Sequence, residues 1–328
     1  MNIRTKVAMV VVLLVCLAIS LPSLGAQTRT KIRYGLGDVL GTDDLQLLIA
    51  IERAKARGVD VEVTAFKSEE LATQAVINGQ VDVGQGTPYA AIPKVTIPIR
   101  FFYQLYALQF FPIVNKEFYK IWKDLDGQEI AVHARGSGTE AIMNLMAKEH
   151  GIKYKNISYV PGSDVRALGL LRGTIKASIL DATNRSYVMR EAPDKFLILP
   201  LGKVKASDES LFATRDFLEK NHAAVTIFVE ELLRVSRQIN ANPKFPAEER
   251  KKLGIMKDLP AKVEAEITPY YEEAVKNEII SNDGGAGLAP KTDLEFFRLS
   301  GQLKGEDLKV EDFWHLAPLK EAITKLGK

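Results

Sequence analysis

The chain has 328 residues, of which 46% are hydrophobic, 26% are charged and one is a cysteine. This composition is that of a globular protein and excludes a collagen-like, disulfide-scaffold or wholly disordered chain. The formal net charge is +3 at pH 7, and two of the cations lie in the first 26 residues. The remainder is close to neutral, so we expect no binding to nucleic acid, which requires a basic surface.

The N-terminus has the pattern of a secretory signal peptide. Two basic residues precede an unbroken apolar run from Val7 to Ile19, and Pro22 and Ala26 follow it. A helix rises about 1.5 Å per residue, so this run is too short for a bilayer core of ~30 Å. We expect residues 1–26 to be cleaved after Ala26, which would leave a periplasmic protein without cysteine. An uncleaved membrane anchor is the alternative.

Short apolar segments then alternate with longer amphipathic ones, which predicts an α/β architecture of mostly parallel sheets flanked by helices. The first unit is predicted to contain, in chain order, a strand over 31–35, a helix over 42–57, a strand over 59–66, a helix over 68–77, and strands over 81–84 and 99–107. A second unit, beginning after residue 115, is predicted to contain a strand over 129–132, a helix ending at Gly151, a strand over 157–160, a helix over 164–172, and strands over 177–180 and 196–201. From residue 221 the pattern is helical, with a kink or split expected at Pro269.

Several polar loops follow predicted strands, at the position where open α/β sheets bind ligands. The loops begin at Gly35, at Gln85 and at Asp181. A fourth loop contains Ser137 and Glu140, which have the spacing of a capping box at a helix start, where free amides and the helix dipole favour an anion. The alternative for each loop is a turn or helix cap that binds nothing.

Signals for an enzyme or a cofactor are weak. The glycines of residues 35–41 are spaced one residue too far apart for a dinucleotide fingerprint. The four histidines are isolated, and Ser137 lacks the glycine two residues upstream that a nucleophile elbow requires. We therefore expect no catalytic residue, no metal and no cofactor.

Five segments together resemble the solute-binding proteins of nitrate/sulfonate/taurine-type ABC importers. They are DVGQGTPYAAI (82–92), KDLDGQEIAV (123–132), GSGTE (136–140), LFATRDFLEKN (211–221) and VEDFWHLAPLKEAITKLG (310–327). The resemblance implies a two-lobe fold of the type II periplasmic-binding-protein class, with the chain crossing between lobes near 108–116 and 213–222. It also implies that Thr87 and the Ser137–Thr139 loop contact the solute. The family includes binders of pyrimidine thiamine precursors as well.

From these observations we expect residues 27–112 and 221–328 to form lobe 1, including the C-terminal helices, and residues 113–220 to form lobe 2. The expected function is binding of a small anionic organic solute, such as a sulfonate or carboxylate, and its delivery by a monomer to an inner-membrane ABC permease and its ATPase. The predicted ligand-binding residues are Gly37, Asp38, Thr42, Gln85, Gly86, Thr87, Ser137, Gly138, Thr139, Asp181 and Thr183.

Three alternatives remain open at this point. Asp38 and Asp181 would repel an anion, which leaves a neutral, zwitterionic or pyrimidine-type solute possible. The protein could serve a membrane sensor instead of a permease. An exported enzyme on the same scaffold is the third.

Overall fold

The computed structural model describes residues 29–327 except 203, 205 and 306. The predicted signal peptide lies outside the described residues. Among the helices of the described part, none combines the length and the apolar character needed to cross a bilayer.

Strands and helices alternate in the first two thirds of the described chain, and helices dominate the last third. The strands are β1 Thr30–Leu36, β2 Val59–Ala65, β3 Val83–Gly86, β4 Ile99–Ala107, β5 Phe111–Asn115, β6 Glu129–Val132, β7 Asn156–Tyr159, β8 Ala177–Leu180, β9 Phe196–Ile198 and β10 Ser207–Thr214. The helices are α1 Leu45–Ala56, α2 Glu69–Ile77, α3 Gly138–His150, α4 Ser163–Arg172, α5 Ala182–Glu191, α6 Arg215–Lys220, α7 His222–Ala241, α8 Phe245–Leu253, α9 Ala261–Lys276, α10 Ala289–Leu299 and α11 Ala317–Leu326.

The strands form two five-stranded sheets, with orders β2-β1-β3-β10-β4 and β7-β6-β8-β5-β9. In the first sheet β1 pairs in parallel with β2 and β3, whereas β10 is antiparallel to both of its neighbours. In the second sheet β6 pairs in parallel with β7 and β8, whereas β5 is antiparallel to both of its neighbours. Each sheet thus has a single reversed strand, so both sheets are mixed, and the predicted α/β class with two sheets flanked by helices is confirmed.

The reversed strands are the ones that follow the crossings between sheets. The chain leaves the first sheet after β4 and enters the second at β5, within the predicted range of 108–116. It returns between β9 and β10, and the two crossings meet where the Leu108 amide donates to the Ala206 carbonyl at 2.7 Å. The predicted second crossing at 213–222 is wrong, because β10 pairs in the first sheet and not in the second. We call the first sheet with its helices the first lobe, and the second sheet with α3–α5 the second lobe.

The first lobe is held together by a core in which α1 and α7 cover the sheet. Phe228, Leu232, Val235 and Ile239 lie on one stripe of α7 and are all fully buried. A stripe at this spacing is what an amphipathic helix needs to cover a sheet. Helices α9 and α11 pack on the same core, whereas α10 packs in a second apolar cluster.

Helix α9 runs without a break through Pro269, so the predicted split does not occur. A proline removes one backbone donor from a helix. Here Ile267 and Tyr271 on either side of it are fully buried in the first-lobe core. Burial of both side chains offsets the lost hydrogen bond and keeps the helix continuous.

Candidate functional site

A cavity of about 370 Å³ lies between the two lobes, where strands of both sheets end. Its walls come from the segments after β1, β3, β4, β6 and β8 and from the start of β10. A volume of this size lies at the lower end of the range for small-molecule sites. The lobes approach closely here, since a Cβ placed on Gly138 would lie 3.9 Å from Asp208 Oδ1 across the cavity.

Nine of the eleven predicted ligand residues line this cavity. They are Gly37, Asp38, Thr42, Gln85, Ser137, Gly138, Thr139, Asp181 and Thr183. Gly86 and Thr87 do not: both are buried behind the wall, and the Thr87 backbone amide instead donates to the carboxylate of Glu69, which does line the cavity. Gly86 has a φ of +134°, and a Cβ there would lie 2.9 Å from Glu69 Oε2. The glycine therefore makes room for an acidic side chain that the sequence analysis missed.

The helix start of α3 is already occupied by protein groups. The Ser137 hydroxyl donates to the Ala134 carbonyl at 2.7 Å and lies 2.9 Å from Thr139 Oγ1. The Glu140 carboxylate accepts the Gly136 amide at 2.6 Å, one residue before the cap amide that the capping-box pattern predicted. The Glu140 carboxylate therefore adds a negative charge beside the helix start at which the sequence analysis expected an anion.

The start of α5 is capped in the same way. The Asn184 backbone amide donates to Asp181 Oδ1 at 2.7 Å, and the Asn184 side chain donates to Oδ2 at 2.9 Å. Asp181 therefore caps its own helix while it also faces the cavity.

The main feature of the cavity is its acidic lining. Seven carboxyl groups line it, from Asp38, Asp43, Asp44, Glu69, Asp181, Asp208 and Glu209. Arg166 is the one lysine or arginine among the described lining residues, and it is fully buried. Its guanidinium donates to the Val160 carbonyl at 2.9 Å and to the Ile179 carbonyl at 3.2 Å, which ties the second-lobe wall together.

Desolvation in the cleft raises the pKa values of six of these carboxyl groups, those of Asp38, Asp43, Asp44, Glu69, Asp208 and Glu209. Desolvation, with the nearby charge of Asp181, raises the pKa of Asp43 to about 6. Desolvation, opposed by the Thr87 amide, raises the pKa of Glu69 to about 7. Desolvation, with the charge of Asp43, raises the pKa of Asp44 to about 8. A cation placed among these groups would favour their ionised forms.

Aromatic side chains complete the walls of the cavity. Tyr106, Phe110 and Tyr270 line it, and the hydroxyl of Tyr106 donates to the Asp43 carbonyl at 2.5 Å. The hydroxyl of Tyr271 donates to the same carbonyl at 2.9 Å. The loop that carries Asp43 and Asp44 is therefore fixed by two buried phenols. Aromatic faces can also attract an organic cation.

Sequence reasoning missed five of the acidic lining residues. Asp43 and Asp44 lie in the first turn of a short helix, where acidic residues are favoured with or without a ligand, and Glu69 stands at the first position of α2. Asp208 and Glu209 lie at the start of β10, a strand that was not predicted. Within the described residues, no three His, Cys, Asp or Glu side chains are grouped so as to hold a metal ion.

A protein-family model described as NMT1/THI5 like matches residues 47–245 of the chain. The comparison with curated proteins found no match. Among solved structures, a protein from Bordetella bronchiseptica is 21% identical with a TM-score of 0.70, over 91% of this chain and 98% of that chain.

Two further solved structures are similar to the chain. The ligand-binding component of an ABC-type import system from Staphylococcus aureus is 14% identical with a TM-score of 0.68, over 90% of this chain and 99% of that chain. The periplasmic nitrate-binding protein NrtA from Synechocystis is 13% identical with a TM-score of 0.69, over 91% of this chain and 89% of that chain. These likenesses show the two-lobe periplasmic-binding-protein fold.

Proposed function

The chain belongs to the NMT1/THI5-like family, and on this premise we propose that it is the solute-binding component of an ABC-type importer and that it binds a small organic cation. The observation that carries the ligand class is the set of seven carboxyl groups around a cavity with one buried arginine. Two proteins that share the fold support the transport role, since one is named as a component of an ABC-type import system and the other as a nitrate-binding protein.

The acidic lining argues against the anionic solute that the sequence analysis favoured. Two like charges 4 Å apart repel by about 4 kcal/mol at an effective dielectric constant of 20. Asp38 faces the cavity from the first lobe, and Asp181 faces it from the second. A sulfonate or nitrate would meet carboxylates from both sides, whereas a protonated amine would be attracted from both sides.

The proposed mechanism is closure of the lobes on the solute. A ligand that contacts both walls stabilises the closed state by its differential affinity for that state. The closed form would then present itself to a permease driven by an ATPase. We propose that the protein works as an exported monomer and catalyses no reaction.

A thermal-shift screen tests the ligand class. Benzylamine and putrescine are expected to raise the melting temperature, because a ligand at ~100 times its dissociation constant adds about 2.7 kcal/mol to the free energy of unfolding. Nitrate, acetate and ethanesulfonate are expected to leave it unchanged at equal ionic strength. The opposite pattern, with anions stabilising and amines inert, would exclude the proposed ligand class.

A matched pair of variants tests whether amines bind in the cavity. Asp38→Asn removes a carboxylate from the cavity, and we expect it to weaken amine binding measured by calorimetry by about tenfold, since charge-assisted hydrogen bonds contribute ~1.5–3 kcal/mol. Asp258→Asn makes the same chemical change at an exposed position and should bind amines as the unaltered protein does. Equal affinities in the two variants would remove Asp38 from the site.

Two ion pairs connect the lobes beside the cavity. Arg185 of α5 lies 3.1 Å from Glu273 of α9, and Arg190 lies 3.8 Å from Glu266. Both helices contribute cavity residues, so we expect these pairs to favour the closed state.

Arg185→Gln should therefore weaken amine binding by about fivefold at low salt, since a partly exposed pair contributes up to ~1 kcal/mol. The difference should shrink at high ionic strength, where such pairs are screened. Arg298→Gln, at an exposed position of α10, serves as the control. An Arg185→Gln variant with unchanged affinity at low salt would show that the pair does not contribute to closure.

A further inference from the structure

His133 stands on the cavity wall directly after β6, at the end of a second-lobe strand. Its backbone amide donates to Thr139 Oγ1 at 3.1 Å, which fixes the residue against the start of α3. Only 9% of the residue is exposed. The sequence analysis treated it as an isolated histidine, and the cation-binding function proposed above does not use it.

The hydrogen bonds of the ring define its tautomer. The Gly162 amide donates to Nδ1 of His133 at 3.4 Å, so Nδ1 acts as an acceptor and carries no proton. Burial, together with the charge of Arg166, lowers the pKa of the ring to about 4. The ring is therefore neutral at pH 7, and a neutral imidazole with an unprotonated Nδ1 carries its proton on Nε2.

The Nε2 atom is buried and has no hydrogen-bond partner among the described residues. Nearly all buried polar groups in folded proteins are paired, and an unpaired one calls for a specific explanation. His133 lies on the cavity wall of the second lobe. Six of the seven acidic lining residues belong to the first lobe, and Asp181 is the one acidic residue on the second-lobe side among the described lining residues. A group on the solute is the partner that this position would accept.

We propose that the Nε2–H group of His133 donates a hydrogen bond to a neutral acceptor atom of the bound cation. The solute would then carry two recognition elements, a protonated amine directed at the first-lobe carboxylates and an uncharged acceptor directed at the second lobe. The inference rests on the proposed function. It excludes two classes of solute. Simple alkylamines lack the acceptor, and amino acids carry a carboxylate that the acidic cavity would repel.

A set of four amines of equal ring size tests the inference at pH 7.5. Benzylamine carries the cationic group alone, and 2-, 3- and 4-(aminomethyl)pyridine add one ring nitrogen acceptor at successive positions. We expect one pyridine isomer to bind about tenfold more tightly than benzylamine in calorimetry, because an otherwise unpaired buried donor gains a partner.

Variants of His133 test whether its imidazole ring causes the preference for one pyridine isomer over benzylamine. His133→Phe keeps an aromatic ring but removes the donor, so the preferred isomer should lose its advantage over benzylamine. His133→Gln retains a donor near the Nε2 position and should restore part of the preference. His150→Phe changes an exposed histidine at the end of α3 and should leave the preference intact.

Nitrogen-15 NMR of the histidine rings provides a second readout that does not depend on the stability of a variant. The His133 ring should show an Nε2–H tautomer, and its Nε2 resonance should shift with the preferred isomer and not with benzylamine. An Nδ1–H tautomer, or equal affinities of the protein for all four amines, would overturn the inference and leave cation binding standing. Failure of all four amines to bind would overturn the proposed ligand class and this inference with it.

Discussion

The affinity for a protonated amine should rise by about ten- to hundredfold between pH 5.5 and pH 8. The carboxyls of Asp43, Glu69 and Asp44 have pKa values raised by desolvation to about 6, 7 and 8. At pH 5.5 these groups are largely protonated and cannot attract a cation. At pH 8 the bound cation holds them ionised, so each proton released on binding changes the affinity by up to tenfold per pH unit.

Calorimetry with benzylamine across this range measures the effect directly. An alkylammonium group with a pKa near that of lysine, ~10.4, keeps its charge throughout, so the titration belongs to the protein. The heats should also depend on the ionisation enthalpy of the buffer, because binding releases protons. An anionic solute would show the reverse slope and bind more tightly at low pH.

Glu69→Gln should flatten this pH dependence, since it removes one of the titrating groups. Glu149→Gln is the matched control, because that side chain is exposed on α3, outside the cavity. If the unaltered protein binds benzylamine with the same affinity at pH 5.5 and pH 8, the perturbed carboxyls take no part in binding.

The position of the cavity was predictable from the sequence because it follows from a rule of sheet geometry. Parallel strands bring their carboxyl ends to one edge of a sheet, so the loops near Gly37 and Gln85 had to share an edge of the first sheet. The loops near Ser137 and Asp181 had to share an edge of the second sheet, and the family resemblance implied that the two edges face each other. All four of these residues line the cavity. The crossing after β4 was predicted through the family resemblance, not from the pattern of the strands.

The charge of the cavity was not predictable, because it depends on contacts between distant segments. The anion preference came from the helix start at Ser137, whose local pattern contains no information on the carboxyl groups that other segments bring to the cavity. Asp208 and Glu209 begin a strand whose first residues are polar, which is the pattern of a loop. Only the return of that strand to the first sheet places them near Glu69, whose charge contributes to the raised pKa values of both.

Asp44→Asn is expected to stabilise the unliganded protein at pH 8 while it weakens amine binding. Asp44 is 7% exposed, and desolvation together with the charge of Asp43 raises its pKa to about 8. Since the ordinary pKa of aspartate is ~3.9, the folded state binds more protons than the unfolded state between about pH 4 and pH 8. The free energy of unfolding must therefore fall as the pH rises through that window.

Asparagine removes this penalty because it does not ionise, and its side-chain oxygen can still accept the Gly41 amide that Asp44 Oδ2 accepts at 2.9 Å. The gain at pH 8 is on the order of 2 kcal/mol, because each pKa unit corresponds to ~1.4 kcal/mol and Asp43 shares the shift. Thermal melts without ligand should show a melting temperature several degrees higher than that of the unaltered protein at pH 8 and an equal one near pH 4.

Asp258→Asn provides the comparison, since its exposed side chain should leave both melts unchanged. With benzylamine present, the unaltered protein should have the higher melting temperature of the two, because the bound cation stabilises its ionised carboxylates. A lower melting temperature of Asp44→Asn at pH 8 without ligand would mean that the ionised carboxylate supports the fold. In that case the acidic groups would not lower the free energy of unfolding of the unliganded protein, and cation binding would not be needed to explain them.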